Sequence, residues 1–187
     1  LLGRPQKVLD RSVMEQLVAG RKVLVTGAGG TIGRELCSQI ASYGPNSLTL
    51  LDNGEFNLFS IDMDIKNNFP DLNLSTVLGD IRDKVRLKKT FQKDRPDLVF
   101  HAAAFKHVPL SELNPDEVVL TNIIGTRNVV DACCDASVDT MVLISTDKAV
   151  DSSSVMGATK RVAELVCQSA KFTGEGHCIT VRFGNVL

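Results

Sequence analysis

Residues 23–33 read Val23-Leu24-Val25-Thr26-Gly27-Ala28-Gly29-Gly30-Thr31-Ile32-Gly33, an apolar run of strand length that leads into a glycine-rich loop. The glycines have the spacing G-x-x-G-x-x-G, and the residues after them have the apolar periodicity of an amphipathic helix. Such glycines allow a tight turn, close approach of backbone N–H groups to a pyrophosphate, and close packing of helix on strand. The helix N-terminus adds a partial positive charge. The loop residues expected to bind a dinucleotide are Gly27, Gly30, Thr31, Ile32 and Gly33.

Strand-like and helix-like segments alternate along the rest of the chain. Apolar, β-branched runs of strand length occur at about 22–27, 47–52, 74–78, 97–102, 139–145 and 177–183. The helix-like segments between them carry three apolar stripes, which are Ile32, Leu36, Ile40 and Ala41; Ile81, Val85, Leu87 and Phe91; and Val118, Val119, Ile123, Val129 and Val130. This alternation predicts parallel strands joined by right-handed helical crossovers, a doubly wound α/β sheet of the Rossmann type.

The two ends of the chain differ from this pattern. Residues 1–20 are expected to form a linker and a short helix, which Asp10 or Ser12 would cap and which would end at Gly20. Residues 21–187 form the predicted dinucleotide-binding domain. Because the chain stops directly after a strand and without a closing helix, we interpret this domain as incomplete at its C-terminus.

The composition limits the classes of partner. With 187 residues, of which 43% are hydrophobic, the chain can bury one full-sized core and is too short for two ordinary domains. The formal net charge is −1, from 21 basic and 22 acidic residues. No general electrostatic field would therefore recruit nucleic acid or an anionic membrane, and partners must be inferred from specific sites.

Cysteine usage and hydropathy exclude two further classes. The five cysteines are an odd number without a C-x-x-C pair, and no histidines cluster with them to complete a zinc site. We therefore expect reduced packing thiols and no metal. No stretch approaches the ~20 uninterrupted apolar residues of a membrane span, and the N-terminus lacks the apolar core of a signal peptide. The chain as given is expected to be soluble and cytoplasmic.

The second strand-like run ends in an acidic residue, Asp52. A carboxylate about 20 residues after the glycine loop can accept hydrogen bonds from an adenosine ribose. The same charge would repel the 2′-phosphate of NADP, and neither Arg nor Lys follows in Asn53-Gly54-Glu55-Phe56. We therefore predict NAD as the cofactor, with NADP less favoured although Arg34 keeps it open. The alternative is that Asp52 only caps the next helix.

A second acidic residue, Asp80, follows the third strand-like run and precedes Ile81. In a cofactor site, Asp80 would meet the adenine amino group while Ile81 packs on the adenine ring. The alternative for Asp80 is a helix cap.

Four motifs in chain order resemble those of an extended short-chain dehydrogenase/reductase. They are the loop from Thr26 to Gly33, His101-Ala102-Ala103-Ala104 after the fourth strand, Asn122 within a helix, and a strand that ends Leu143-Ile144-Ser145-Thr146. More narrowly, four stretches resemble the UDP-N-acetylglucosamine 4,6-dehydratases of polysaccharide and glycan biosynthesis. These are residues 101–110 (HAAAFKHVPL), 145–150 (STDKAV), 156–161 (MGATKR) and 182–187 (RFGNVL).

Within that family, the usual Tyr-x-x-x-Lys pair has a variant with methionine at the tyrosine position, seen chiefly in long, membrane-anchored members. This chain carries the variant as Met156-x-x-x-Lys160. Gly3-Arg4-Pro5 also resembles the segment that follows the membrane-spanning region of those members. The resemblance implies an inner-membrane parent whose catalytic part faces the cytoplasm, with membrane contact only through a segment absent from this chain. It also implies self-association through helices beside the active site.

The resemblance further implies a 4,6-dehydration of UDP-N-acetylglucosamine in which NAD is reduced and then regenerated within each turnover. Transfer of the C4 hydride to NAD makes a ketone, which acidifies the C5 proton. Loss of that proton and of the C6 hydroxyl as water gives an enone, and hydride return to C6 yields a 4-keto-6-deoxy sugar. The site needs an acid for C6, a base for C5, a group that removes the C4 hydroxyl proton, and a fixed nicotinamide.

By this resemblance, Asp147 is the acid at C6 and Lys148 the base at C5. Both follow the fifth strand, at the sheet edge where ligands bind in open α/β folds. Work near neutral pH requires a raised pKa for Asp147 and a depressed pKa for Lys148, and partial burial favours both shifts. Without the resemblance, the favoured interpretation of the pair is a solvated turn with no catalytic work.

The catalytic set is completed by Thr146, Met156 and Lys160. Met156 and Lys160 share one helix face because they are four residues apart, and the resemblance places Lys160 on the nicotinamide ribose. A thioether has no titratable hydrogen, so Met156 cannot transfer a proton. Thr146, Asp147 or a water relay to Lys160 are the candidates for removing the C4 hydroxyl proton, and Met156 itself packs against nicotinamide or sugar or has a special role.

The resemblance implies further contacts with the two ligands. The cofactor contacts are Ala102, Ala103, Ala104, Asn122, Ser145 and Arg182, and the substrate contacts are Lys106, His107 and Asn185. Asn122 would act through backbone or water contacts. Ser145 either bonds the C4 oxygen or only finishes its strand, and His107 has a structural role as its alternative.

Three hypotheses follow, from two classes of protein. The leading one is the NAD-dependent dehydratase, with a related nucleotide-sugar epimerase or C5-inverting dehydratase as the second enzyme hypothesis. The third is a catalytically silent NAD-binding sensor or scaffold, which loss of the tyrosine would permit. Because substrate contacts in this fold come largely from a smaller C-terminal domain, the 187-residue piece alone is expected to turn over little or nothing.

Overall fold

The computed structural model describes residues 11–172 and 174–184. It contains a six-stranded parallel sheet in the order β3-β2-β1-β4-β5-β6. The strands are β1 (Lys22–Thr26), β2 (Ser47–Asp52), β3 (Leu74–Leu78), β4 (Leu98–His101), β5 (Thr140–Thr146) and β6 (His177–Phe183). Each matches a predicted run within one residue at either end, so the predicted doubly wound α/β architecture is confirmed.

Helices connect every pair of consecutive strands. They are α1 (Arg11–Val18), α2 (Thr31–Ser42), α3 (Glu55–Asn68), α4 (Lys84–Asp94), α5 (Val108–Leu113), α6 (Pro115–Val119), α7 (Thr126–Asp135) and α8 (Val155–Gln168). A π-helical turn (Leu120–Gly125) joins α6 to α7, and a 3₁₀ turn (Asp147–Ala149) follows β5. Among the described residues, no helix is long and apolar enough to cross a bilayer.

The sheet is buried on both faces, which explains why its strands are nearly continuous apolar runs. One face packs against α1, α2 and α3 through residues such as Val25, Leu50 and Ile61. The other face packs against α4, α7 and α8 through residues such as Leu24 and Leu143. The sheet therefore holds the ends of its strands in fixed relative positions.

The predicted N-terminal helix is present as α1. Its last residue, Val18, is fully buried against the first face of the sheet. Gly20 ends the segment with a positive φ of 70°, and its N–H donates to the carbonyl of Gly44 at 3.0 Å. The proposed capping residue Asp10 lies outside the described residues.

The predicted stripe between β4 and β5 is only partly correct. Val118, Val129 and Val130 are buried, whereas Val119 is 38% exposed. The π-helical turn adds one residue to a helical turn, and this changes which residues face the sheet on its two sides. In the second stripe, the prediction that Val85 faces the core is wrong. Val85 is 64% exposed at the start of α4, whereas Leu87 and Phe91 are buried.

The five cysteines are free thiols, as expected. Four of them lie in helices, and Cys178 lies near the start of β6. Within the ranges 11–172 and 174–184, no group of three or more His, Cys, Asp or Glu residues is arranged to hold a metal ion.

Candidate cofactor and active site

The candidate site lies where the strand order reverses. Strands β1 and β4 are neighbours, but the chain continues from β1 toward β2 and from β4 toward β5. The loops after these strands consequently diverge and leave a crevice at their carboxyl ends, the usual ligand site of open α/β sheets.

The glycine loop fits this crevice only because Gly27, Gly29 and Gly33 lack side chains. Gly27 has a φ of 68°, and a Cβ there would lie 2.6 Å from the backbone nitrogen of Ala103. A Cβ on Gly33 would overlap the carbonyl oxygen of Gly27. These contacts bring β1, α2 and the loop after β4 together. No side chain caps α2 at Gly30. The N–H groups of the first turn of α2 can therefore donate hydrogen bonds to an anion in the crevice.

Asp52 lies at the end of β2 and is fixed beside this loop. Its Oδ2 accepts a hydrogen bond from the N–H of Gly29 at 2.9 Å, and its Oδ1 accepts from the N–H of Gly54 at 2.8 Å. Gly54, rather than Asp52, is the capping residue of α3. Each carboxylate oxygen keeps a lone pair that a ribose hydroxyl could use.

Asp80 is more heavily occupied than the sequence suggested. It accepts from the backbone N–H of Arg82 at 2.8 Å and from the Arg82 side chain at 2.9 and 2.7 Å. Burial acts to raise the pKa of Asp80, but these bonds and that of Asn53 outweigh it and lower the pKa. The cap of α4 is Asp83, which accepts from the N–H of Arg86 at 2.9 Å. Ile81 is 4% exposed.

Two neighbouring cavities at the carboxyl edge of the sheet share three of their lining residues. The first, of about 180 Å³, is the expected adenosine half. Its lining residues include Gly27, Gly30, Asp52, Asn57, Asp80, Ile81 and Ala103. The second, of about 560 Å³, is the expected nicotinamide and sugar half. Its lining residues include Thr31, Ile32, Ser145, Thr146, Lys148, Met156, Lys160 and Gly184. Ala102, Ala104 and Phe105 line both cavities.

Asp147 and Lys148 lie in the 3₁₀ turn after β5, and of the two side chains only Lys148 lines the larger cavity. The Thr146 hydroxyl donates to Asp147 Oδ1 at 3.0 Å, and Lys148 Nζ lies 3.4 Å from the same oxygen. The side chains are 57% and 45% exposed, respectively. The hydrogen bond from Thr146, followed by the charge of Lys148, lowers the pKa of Asp147. The expected partial burial and raised pKa of Asp147 are therefore wrong for this chain, because water reaches the carboxylate and both neighbours stabilise its charge.

Met156 and Lys160 lie on the buried face of α8, 3% and 7% exposed. A Cβ on Gly157 would overlap the carbonyl oxygen of Lys148, so the first turn of α8 packs directly on the 3₁₀ turn. Lys160 Nζ donates to the carbonyl of Ile144 at 2.6 Å. Burial lowers the pKa of Lys160 to about 8, against the opposing effects of Cys167 and Glu164.

Asn122 supports the site from behind. Its Oδ1 accepts from the N–H of Phe105 at 2.8 Å, and its Nδ2 donates to the carbonyl of Phe105 and the hydroxyl of Thr159 at 3.1 and 3.0 Å. The π-helical turn thereby ties the loop after β4 to α8. The side chain is 1% exposed and acts through these contacts.

His101 has a structural part that the sequence motif did not specify. Its Nδ1 lies 2.6 Å from the Thr26 hydroxyl and its Nε2 lies 2.9 Å from the Thr126 hydroxyl. Burial, followed by the positive charge of Lys160, lowers its pKa to about 3. A neutral imidazole therefore links β1, β4 and α7 at the end of β4, immediately before Ala102 in the chain.

Ser145 and Arg182, both predicted to contact the cofactor, share a partner that the sequence analysis did not identify, Glu164. The Ser145 hydroxyl donates to Glu164 Oε1 at 2.7 Å, and the Arg182 guanidinium donates to both Glu164 oxygens at 2.8 and 2.6 Å. Glu164 is fully buried. Its signal in the sequence was a carboxylate four residues after Lys160, on the same helix face.

The expected substrate contacts are less well determined. Lys106 lines the larger cavity, and both Lys106 and His107 line an adjoining apolar hollow with Leu110. Both side chains are exposed. Asn185 lies outside the described residues.

Comparison with known proteins agrees with this geometry. The family model described as polysaccharide biosynthesis protein matches residues 23–187. The chain is 44% identical over 188 residues to the probable polysaccharide biosynthesis protein EpsC of Bacillus subtilis, an alignment that covers 100% of this chain and 31% of EpsC. It is 33% identical over 172 residues to a UDP-N-acetylglucosamine 4,6-dehydratase (inverting) of Campylobacter jejuni, covering 90% of this chain and 50% of that enzyme.

A solved structure shares the same architecture. The UDP-glucose-4-epimerase of Stenotrophomonas maltophila, with bound NAD and formylated UDP-arabinopyranose, superposes with a TM-score of 0.76 at 28% identity. The match covers 87% of this chain and 52% of the epimerase. The chain thus spans 31% of the length of EpsC and 50% of the length of the dehydratase. It belongs to the polysaccharide biosynthesis protein family, a group of nucleotide-sugar dehydratases and epimerases within the extended short-chain dehydrogenases/reductases.

Proposed function

We propose that the whole protein is a NAD-dependent 4,6-dehydratase of UDP-N-acetylglucosamine. The observation that carries the proposal is the larger cavity, whose rim holds Lys148 and Thr146 and whose wall holds Lys160 and Met156. A net oxidoreductase needs only a proton relay beside the nicotinamide. Elimination also needs an acid and a base next to C5 and C6, and the turn Asp147-Lys148 supplies both groups.

The choice of NAD rests on the smaller cavity. Asp52 is fixed 2.9 Å from the N–H of Gly29, where its negative charge would accept ribose hydroxyls and repel a 2′-phosphate. Arg34, which left NADP open, is bonded to Asp64 at 2.6 Å. When bound, NAD would supply the reversible hydride acceptance that the reaction needs.

Asp147 and Lys148 carry the acid and base roles in this proposal. Their exposure in the present chain means that Asp147 is ionised at neutral pH. An acid role at C6 therefore requires that the sugar, or the further domain expected in the whole protein, excludes water from the carboxylate and raises its pKa. In this proposal Lys148 accepts the C5 proton.

Lys160 is the favoured acceptor for the C4 hydroxyl proton. Met156 has no proton to exchange, and it fills the position next to the cavity with an apolar side chain. Lys160, with its pKa of about 8, is partly neutral at slightly alkaline pH, and the Thr146 hydroxyl or a water molecule would relay the proton.

The test uses the whole protein and three forms of it. Wild type, Asp147→Asn and Lys148→Ala are incubated with UDP-N-acetylglucosamine in heavy water, and the products are identified by NMR. Wild type is expected to give a 4-keto-6-deoxy sugar with deuterium at C5, and both variants are expected to lose elimination. Wild-type rates in both variants would contradict the catalytic assignment. A C4 epimer that retains its C6 hydroxyl would establish the epimerase alternative, which the likeness to the UDP-glucose-4-epimerase favours.

We also propose that the parent lies at the cytoplasmic face of the inner membrane. The support is the resemblance of Gly3-Arg4-Pro5 to the segment after a membrane-spanning region, together with the greater length of EpsC. Fractionation of cells that express the whole protein tests this, and recovery in the soluble fraction would contradict it.

A further inference from the structure

We propose that Glu164 is a positioning residue, which locks the carboxyl ends of β5 and β6 onto α8 and so sets the distance between the Asp147-Lys148 turn and Lys160. This inference rests on the proposed function for its meaning, but its geometry is independent of it. Glu164 is fully buried, and it accepts hydrogen bonds from residues on three different elements.

Lys160 and Glu164, both on α8, form hydrogen bonds to consecutive residues of β5. Lys160 donates to the carbonyl of Ile144 at 2.6 Å, and one helical turn later Glu164 accepts from the Ser145 hydroxyl at 2.7 Å. Thr146 and Asp147 follow at once in the chain. The position of the reactive turn is therefore set by these two contacts to α8.

The same carboxylate fixes β6. Arg182 pairs in register with Ser145, and its guanidinium makes a two-pronged bond to Glu164 at 2.8 and 2.6 Å. Phe183 and Gly184 come next and line the larger cavity. Glu164 thus binds, through one side chain, the ends of two neighbouring strands that both contribute residues to the cavity wall.

A buried ion pair commonly adds little net stability over well-packed apolar side chains. Stability alone therefore does not explain why a charged residue fills this space. The charge has a local consequence here. Hydrogen bonds from Arg182, Ser145 and Arg161 hold the pKa of Glu164 at about 2, so the group is ionised at all working pH values. Its negative charge acts one turn from the ammonium group of Lys160.

Charged and titratable groups lie on several elements around Lys160, and two of them, Cys167 and Glu164, oppose the lowering of its pKa by burial. On α8 these are Glu164, Arg161 and Cys167; β4 contributes His101, and β6 contributes Arg182. Lys106 and Lys148 line the same cavity. Glu164 is the only carboxylate among these described groups, so its removal and the removal of its partner should move Lys160 in opposite directions.

The experiment is an NMR titration of Lys160 in the 187-residue chain, labelled with ¹³C at the lysine ε carbon. Glu164→Gln should move the midpoint below its wild-type value of about 8, since the opposing negative charge is lost. Arg182→Gln should move the midpoint upward, since it leaves the carboxylate without its strongest partner. Both variants should shift the amide signals of residues 145–148.

Asp62→Asn is the matched control. Asp62 is also a helix carboxylate buried against a strand, and it accepts from the Thr76 hydroxyl at 2.5 Å and from Lys66 at 2.8 Å, but it lies on α3 at the other face of the sheet. It should lower the unfolding temperature without moving the Lys160 midpoint. If Glu164→Gln does not fold, Arg182→Gln and its conservative partner Arg182→Lys carry the test, and Lys should restore the wild-type midpoint.

Two results would overturn the inference. One is a Lys160 midpoint in Glu164→Gln that equals the midpoint in the control Asp62→Asn. If Glu164→Gln does not fold, the same comparison is made with Arg182→Gln. The other is a shift in the same direction for both site variants. In the whole protein, the pH profile of dehydration should shift with the midpoint. A wild-type protein without dehydratase activity would refute the proposed function and leave the NMR result standing.

Discussion

Substitution of His101 by glutamine tests whether a neutral imidazole is built into the fold. The ring is 1% exposed between two hydroxyls, 2.6 Å from Thr26 and 2.9 Å from Thr126. The Thr126 hydroxyl donates its own proton to the carbonyl of Asn122 at 2.7 Å. It must therefore accept from Nε2–H, which leaves Nδ1 to accept from Thr26. A second proton, on Nδ1, would remove the hydrogen bond that Thr26 donates to the ring and would place a charge in a buried site.

The size of the effect follows from the pKa. Burial, aided by the charge of Lys160, lowers the pKa of His101 from 6.5 to about 3. Because the folded-state pKa is the lower one, the unfolded chain takes up the proton first, and stability is lost as the pH falls from about 6.5 to about 3. At about 1.36 kcal/mol per unit, the full loss is about 5 kcal/mol, and the part between pH 7 and pH 5 is about 2 kcal/mol.

Urea unfolding at pH 7 and pH 5 measures this difference. Wild type should lose about 2 kcal/mol more than His101→Gln between the two pH values, although the variant starts lower at pH 7 because it lacks the imidazole bonds. His177→Gln, which removes an exposed histidine, should behave as wild type. Equal losses in wild type and His101→Gln would refute the argument that the buried ring stays neutral.

Three further substitutions test other parts of the site. Gly27→Ala should destabilise the chain by more than about 1 kcal/mol in thermal unfolding and abolish NAD binding, because of its positive φ and the 2.6 Å approach to Ala103; an unchanged melting temperature would contradict the loop geometry. Asp52→Asn should weaken NAD binding tenfold or more in calorimetry, on the order of 1.5–3 kcal/mol, and narrow the preference over NADP; an unchanged ratio would remove Asp52 from cofactor choice. Lys160→Met should stabilise the chain at pH 7 by up to about 3 kcal/mol, because burial lowers the pKa of Lys160 from 10.5 to about 8 and so makes its charge costly. This gain in stability should shrink as the pH rises from 8 to 10.5. A loss of stability at pH 7 would show that the ammonium group is well solvated by its partners.

The architecture was predictable because its signals are local. Each strand is a short apolar run, and the glycines of the phosphate loop are required by contacts within a few residues and with one neighbouring loop. The place of Asp52 at the end of β2 follows from the same reasoning, because strand length and direction fix where the carboxylate emerges. The helix between β4 and β5 could not be predicted to the same degree, because its apolar pattern does not mark the π-helical turn, where Gly125 leaves no room for a Cβ beside Ile81.

Side-chain partners across elements were beyond the sequence. Glu164 and Arg182 lie 18 residues apart and meet only because α8 packs on both β5 and β6. The pKa of Asp147 also depended on information the motif does not contain, namely how far the turn projects into water. A motif indicates which residues are close in the chain, whereas the protonation state of a side chain depends on what surrounds it.

The central claim is that NAD accepts a hydride from the sugar and returns it within the same turnover, with net loss of one water from the sugar. The most direct measurement is mass spectrometry of UDP-N-acetylglucosamine after incubation with the whole protein, with absorbance of reduced NAD recorded in parallel. The proposal predicts a product lighter by one water, formed over many turnovers without accumulation of reduced NAD. A product of unchanged mass, or one reduced NAD for each sugar converted, would contradict it.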